Sequence, residues 1–371
     1  MSEEIKKLDY EQVDFEGLTP QKNPEWFNAD GTRKAVCELK ESHSDTLKIL
    51  SPGRLVLKRF FRSKLSITGL IVLIFLFLFS FVGPIFSKWG EIEVDTSYGK
   101  TEFSAIAIEF KAPDDTVYTA YAVTETQLTQ NIYGPISGDH WLGTDDKGMD
   151  VMTRLMYGGR VSLSLGFVVV FLSVIIGIIL GGLAGYFGGW VDMLIMRIVD
   201  IFMCVPTMPI MLIASAVIDS WPNFNQDYRI YALMIFMTLF SWSGTARMVR
   251  GQILALREQE YMVAAEASGL SVARKITKHL VPNVLPQLIV SMTLSLGSII
   301  LTESTLSYLG LGVPMPKAAW GSMINRANDD NIMENYPNMW VPAGICIILA
   351  VLAFNFVGDG LRDAFDPKMK R

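Results

Sequence analysis

Apolar residues along this chain fall into blocks separated by polar and charged stretches. The clearest block, Leu65 to Phe86, holds no charged side chain. As a helix its roughly 22 residues rise about 33 Å, enough to cross the hydrocarbon core of a bilayer. Further apolar runs occupy Ser162–Ala184, Leu194–Ile218, Ile230–Trp242, Val284–Leu301 and Val341–Val357. Ile230–Trp242 is short for a span and is expected to extend at both ends. The pattern predicts an all-α polytopic membrane protein with about six transmembrane helices. A soluble fold with an unusually greasy core is excluded by the uncharged first block.

The stretches between the blocks set the domain organisation. Residues 1–50 form a polar tail with scattered aromatics, Tyr10, Phe15, Trp26 and Phe27. Residues 51–64 mix Leu55, Val56, Phe60 and Phe61 with a basic face, which predicts an interfacial helix leading into the first span at 65–87. Residues 88–138 form an insert of strand character. There, SAIAIEF and TVYTAYAV flank KAPDD, whose proline and paired aspartates signal the turn of a small β-hairpin. Residues 139–371 make up the core.

Charge then orients the chain. Arg54, Lys58, Arg59, Arg62 and Lys64 crowd the N-terminal side of the first span, and Lys368, Lys370 and Arg371 end the sequence. By the positive-inside rule both termini are expected in the cytoplasm. The insert, with Glu91, Glu93, Asp95, Glu102, Glu109, Asp114 and Asp115, is then extracytoplasmic. The formal net charge of −5 gives no sign of a nucleic-acid partner. No cleavable signal peptide is expected, because the first apolar block starts late and is long. Cys37, Cys204 and Cys346 do not form a disulfide framework.

Some residues invite chemistry. Asp145, Asp146 and Asp150 lack the alternation and closing glutamate of a calcium loop, so turn formation and helix capping are expected of them and no metal site is assigned. Gly177, Gly181 and Gly185 recur every fourth residue, which places them on one helix face open to a close-packed neighbour. Arg197 and Asp200 lie one turn apart in a predicted span and are expected to form a mutual ion pair. Pro206 and Pro209 are expected to kink that span.

The stretch EYMVAAEASGLSVARKITKHLVPN, Glu260 to Asn283, is small-residue-rich and charged yet lies between two apolar segments. A helix over Glu258–Ser268 places Tyr261, Ala264, Ala265 and Ser268 on one nearly flat face. Gly269 suits a left-handed helix cap and Ser271 can cap a second helix. That helix carries Val272, Ile276 and Leu280 as a stripe, and Pro282 opens the next span. A flat face with charged flanks suits a groove on another protein; a helix lying on the bilayer calls for bulkier apolar residues than alanine.

The stretch resembles the loop of ATP-binding-cassette (ABC) importer permeases, in which E-A-A is followed by a glycine and an apolar-x-apolar-P ending. Here the matching residues are Val263-Ala264-Ala265, Gly269 and His279-Leu280-Val281-Pro282, with Val263 standing where the pattern has Glu. SPGRLVLKRFFRSKLSITGL, LGTDDKGMDVMTRLMYGGRVSLSLG, DMLIMRIVDIFMCVPTMP, ESTLSYLGLGVPMPKAAWGSMI and VLAFNFVGDGLRDAFDPKMK are similar to the C-type subunit of the peptide-importing branch, except that Met149 replaces the usual Arg. The resemblance covers about Ser51 to Lys370, less the insert.

The resemblance implies a heteromeric importer. Its parts are a sister permease, two cytoplasmic ATPase subunits that carry ATP and Mg, an extracytoplasmic peptide-binding protein, and peptide cargo. The implied docking residues are Tyr261, Ala264, Ala265, Glu266, Ser268, Gly269, His279 and Pro282, within a coupling loop at 258–283. The chain has no G-x-x-x-x-G-K-[ST] phosphate loop, so no enzymatic role and no cofactor is assigned to it. Three other readings stay open: a permease of the same design for nickel or another small solute, a self-contained secondary transporter, and a membrane-anchored binding or sensor protein. No predicted span contains histidine, which weighs against nickel. Glu303 and Asn355 are the few polar candidates a secondary transporter could use for ion coupling.

Overall fold

The structure is a computed structural model that describes residues 52–96, 105–123, 130–222, 224–225 and 228–366. The expectations for the tail at 1–50, including its aromatics and Cys37, lie outside the described residues. The described residues from Val56 onward belong to one compact unit.

Helix α1, Pro52–Phe60, ends on Lys58 and Arg59. Arg59 donates to the Asp366 carbonyl at 3.1 Å, while Phe60 is buried and Phe61 exposed. Ser63 then stops one helix and starts the next: its backbone is extended and its hydroxyl accepts from the Ser66 N–H. Helix α2, Lys64–Phe86, is the first span. It meets α11, Pro337–Phe365, at small residues; a Cβ on Gly69 would sit 2.9 Å from the Ala353 carbonyl oxygen. In the insert, β1 (Ala105–Lys111) and β2 (Val117–Val123) pair antiparallel from Ala105↔Val123 to Lys111↔Val117. Asp115 turns the hairpin with φ of 65°.

Helix α3, Val151–Phe187, runs 37 residues, about 55 Å at 1.5 Å per residue, and so exceeds a bilayer core at one end or both. It starts well before its apolar run because Asp150 caps it, accepting from the Thr153 N–H at 2.7 Å. The expected kinked span at Leu194–Ile218 is corrected by the structure. It is two helices, α4 (Gly189–Cys204) and α5 (Thr207–Ser220), bent by 80° across the break. Pro206 supplies no N–H to continue α4 and sits in an extended conformation that opens α5, so the chain breaks where a kink was expected. Among the described residues five helices are long and apolar enough to span, or six if the bent pair counts as one.

Helix α6, Arg229–Arg257, extends far past Trp242. Helix α7 is Glu260–Ala267, and α8 runs unbroken from Val272 to Tyr308 with a widened, π-helical turn at Lys275–Leu280. Two short helices, α9 (Trp320–Asn325) and α10 (Asp330–Asn335), precede α11. The core centres on α3, which packs on α6 along one side and on α8 along another, with α11 between α8 and α2. Trp320 is fully buried over Gly159 and donates from its indole to the Leu155 carbonyl at 3.0 Å. That contact locks the α8–α11 connection to the first turns of α3.

Candidate functional site

The Glu260–Asn283 stretch folds as a helical hairpin with unequal arms. Helix α7 closes on a Schellman-type turn: the Gly269 N–H bonds to the Glu266 carbonyl at 2.9 Å and the Leu270 N–H to the Ala265 carbonyl at 3.3 Å. Gly269 has φ of +70° with open space around it, so the backbone angle rather than crowding demands glycine. Ser271 opens the second arm in an extended conformation, but its hydroxyl makes no capping bond. That arm is the start of α8 itself, so any force on the hairpin acts directly on a spanning helix.

The structure redistributes the expected flat face. Tyr261, Ala264 and Ser268 are exposed, together with Val263 and Glu266, but Ala265 is buried in its own chain. The reason is Met262. This thioether joins the core that includes Ile253 and Leu280, and it carries the residue one turn later inward with it. Half-buried His279 offers its carbonyl to the Asn283 amide at 2.8 Å, and the same amide reaches the Tyr261 hydroxyl at 3.3 Å, which ties the two arms together. Of the expected docking residues, Tyr261, Ala264, Glu266, Ser268, Gly269 and Pro282 are exposed, as is Val263, whereas Ala265 is buried and His279 half-buried.

The hairpin is fastened to the end of α3. Lys275 is buried, lies 3.5 Å from Glu266, and has its ammonium over the Tyr186 ring at 5.6 Å. Arg257 donates to the Tyr186 carbonyl at 2.9 Å. Just beyond, Gly188 and Gly189 both take positive φ, where α3 turns into α4. Cation and ring thus join hairpin, α6 and α3 at one point. The sequence reading missed Tyr186 and Lys275, because nothing in their spacing connects them.

Behind the hairpin, Gly177, Gly181 and Gly185 face α6. A Cβ at Gly177 would lie 2.7 Å from Thr245 Cβ, at Gly181 2.4 Å from the Ala246 carbonyl oxygen, and at Gly185 2.9 Å from the Arg250 carbonyl oxygen. The expected Arg197–Asp200 pair is corrected. Asp200 pairs with Arg247 of α6, and Arg197 is exposed with no ion-pair partner among the described residues. Asp192 of α4 likewise holds Arg250, at 2.9 Å from its Nε. An Arg-then-Asp pair within one helix is weak and opposes the helix dipole, whereas an arginine fork from a second helix is charge-assisted and geometrically matched.

At the start of α3 the structure gathers groups that the sequence left scattered. Asp95, His140 and Asp150 are buried together, with His140 Nε2 at 3.2 Å from Asp95 and Nδ1 at 3.0 Å from Asp150. Trp89 stacks on the imidazole at a centroid distance of 4.6 Å. Asp145 accepts the Lys147 and Met149 N–H groups, both at 2.9 Å, and lies 3.3 Å from buried Arg154, while Asp146 holds Arg326 at 3.0 Å. The three aspartates thus have turn, cap and ion-pair partners. Nearby, exposed Asp139 is held below the usual carboxylate range by a hydrogen bond from Lys88. Glu303 is fully buried and accepts from Ser162 of α3 at 3.0 Å and Ser307 at 2.7 Å, so it cross-links two helices.

Comparison with known proteins agrees with this architecture. Residues 173–371 match the family of binding-protein-dependent transport system inner membrane components. Residues 51–105 match the N-terminal transmembrane domain of oligopeptide transport permease C. The oligopeptide transport system permease protein OppC of Bacillus subtilis is 36% identical over 91% of this chain and 96% of its own length. The dipeptide transport system permease protein DppC of Alkalihalophilus pseudofirmus is 36% identical over 88% of this chain and 93% of its own. Among solved structures, the inward-facing MetNI methionine ABC transporter aligns with 58% of this chain and 98% of that chain, at 19% identity and a TM-score of 0.45, a likeness too distant to carry an argument.

Proposed function

The chain belongs to the family of binding-protein-dependent transport system inner membrane components, and from that premise we propose that it is a permease subunit of an ABC importer that moves oligopeptides or dipeptides across the cytoplasmic membrane. The observation that carries the cargo is the near full-length identity to relatives named for oligopeptide and dipeptide transport. Energy comes from two cytoplasmic ATPase subunits, which hold ATP and Mg. A sister permease completes the passage, and an extracytoplasmic binding protein delivers the peptide. Both termini and the Glu260–Pro282 hairpin face the cytoplasm, and the acidic insert faces outward, as the charge asymmetry favours.

The mechanism follows from the hairpin's construction. An ATPase subunit seats against Tyr261, Val263, Ala264, Glu266 and Ser268, which are exposed. Closure of the ATPase pair on ATP displaces the hairpin. Because α8 begins in the hairpin and Lys275 reaches Tyr186 at the end of α3, that displacement acts on both spans. The membrane helices then alternate between inward- and outward-open states, provided the docked contact favours one of them.

The testing experiment reconstitutes this chain with its sister permease, ATPases and binding protein in vesicles and measures peptide uptake with and without ATP. ATP-dependent uptake is expected. Uptake that needs neither ATP nor the ATPase subunits would instead identify a self-contained transporter.

A further inference from the structure

A cavity of about 220 Å³ opens between α3, α6 and α8, and each of the three helices contributes hydroxyl side chains to its lining: Ser173, Ser241, Thr245, Ser291, Ser295 and Ser298. Val170, Leu288 and Met292 are among the apolar residues that line the remainder. Its position follows from the glycine stripe. Ser173, Gly177, Gly181 and Gly185 recur every fourth residue on α3. The glycines hold α3 hard against α6, and the cavity opens where the stripe gives way to serine. Ser173 lies midway along its apolar run, Ser241 and Thr245 midway along α6, and Ser291–Ser298 within the apolar run of α8. The cavity therefore sits near the middle of the membrane thickness.

Helix-borne serines in a membrane usually return their hydroxyls to a carbonyl of their own helix. Among the described residues, Ser241 does so, donating to the Met237 carbonyl at 2.7 Å. Ser173 does not: it is 3% exposed, it is among the residues that line the cavity, and its Oγ, closed off from water in this conformation, has no hydrogen-bond partner among the described residues. An unsatisfied buried hydroxyl is costly, and a rotamer turned into the cavity would let it bond to an occupant there, water or solute. Ser295 and Ser298 are exposed along the open side of the same cavity. Lipid tails cannot hydrogen-bond to such a wall.

We propose that this hydroxyl-lined cavity is a binding subsite for the main chain of a peptide in transit. The inference rests on the peptide-permease reading above and deepens it. Each non-proline peptide unit presents one N–H and one C=O, and a hydroxyl can both donate and accept. The wall carries no charged side chain, so it engages the amide groups that peptides of any sequence share while discriminating little among side chains. The apolar residues interleaved with the hydroxyls accommodate the side chains.

The test uses the assembled transporter in vesicles with radiolabelled trialanine as probe. A photoactivatable benzoylphenylalanine replaces Ser295, and the vesicles are irradiated during turnover. Label on this chain that excess unlabelled trialanine displaces is expected. In parallel, Ser173→Ala removes a single oxygen and should lower uptake at sub-saturating trialanine about two- to tenfold, the range for one hydrogen bond, with the maximal rate much less changed. Ser298→Leu should lower uptake further while the ATPase subunits still co-purify. Crosslinks solely to the sister permease, or uptake unchanged in both substitutions, would overturn the subsite and leave the permease reading standing. Failure of the unsubstituted transporter to take up trialanine with ATP would overturn that reading, and the subsite with it.

Discussion

His140 shows how much one residue can organise outside a hydrophobic core. It bridges Asp95, which precedes the β-hairpin, to Asp150, which caps α3, and Trp89 covers its ring. All three titratable groups are buried, so removing the imidazole leaves two carboxylates facing each other away from water. A hydrogen bond to a buried charged group is typically worth about 1.5–3 kcal/mol, and each carboxylate loses one. His140→Ala should lower the thermal midpoint of the purified chain by several degrees and speed proteolysis between Trp89 and Asp139. An unchanged midpoint would mean that the brace carries no stability. Gly269 makes the complementary case of a backbone requirement. At φ of +70° a β-branched side chain costs on the order of 1–2 kcal/mol, so Gly269→Val should loosen the hairpin, read as faster amide exchange over 260–270, while membrane insertion persists.

At the scale of elements, the α3–α6 contact is set by how closely two backbones can approach. A leucine at Gly181 would drive its Cβ to within 2.4 Å of the Ala246 carbonyl oxygen, so the helices must separate. Overpacking of this kind costs about 1–3 kcal/mol, and Gly181→Leu should reduce both the yield of folded protein in detergent and its thermal midpoint; wild-type values for both would show that the contact is slack. The glycine stripe was legible in the sequence because period-four spacing is a local signal. So were the apolar runs, the β-turn at KAPDD and the left-handed glycine. The break between α4 and α5 was legible only as a kink, since Pro206 marks where a helix is disturbed but not how far the next one turns. Sequence spacing shows neighbours on one helix and is silent about Arg247 on another, so it offers Asp200 only Arg197. The sequence alone leaves Ala265 on the outer face, because two faces of so short a helix look alike until Met262 is seen to be buried. The His140 brace, the Glu303–serine cross-link and Tyr186 under Lys275 join residues far apart in sequence, and no local pattern announces such contacts.

For the whole molecule, topology and coupling are one question, because the hairpin can meet cytoplasmic ATPases only if the β-hairpin insert lies on the opposite side. With Cys37, Cys204 and Cys346 replaced by serine, Asp114→Cys should label with a membrane-impermeant maleimide in intact cells whose outer layers admit the reagent. Asp114 sits at the hairpin turn, exposed; labelling only after cell breakage would invert the topology.

The most direct test of the account is ATP-driven peptide uptake by the reconstituted transporter, with Ala264→Arg compared against the unsubstituted chain and the ATPase subunits quantified in the same preparation. Ala264 is exposed on the hairpin and outside the buried face formed by Met262 and Ala265, so the longer side chain has room and the fold should survive. Loss of a close-packed contact at the centre of an interface typically costs about 2 kcal/mol or more, at least about twentyfold in affinity. Ala264→Arg is expected to retain the sister permease and bind ATPase subunits poorly, or to bind them and hydrolyse ATP without uptake. Normal ATPase retention together with normal uptake would contradict the assignment of Glu260–Pro282 as the coupling element.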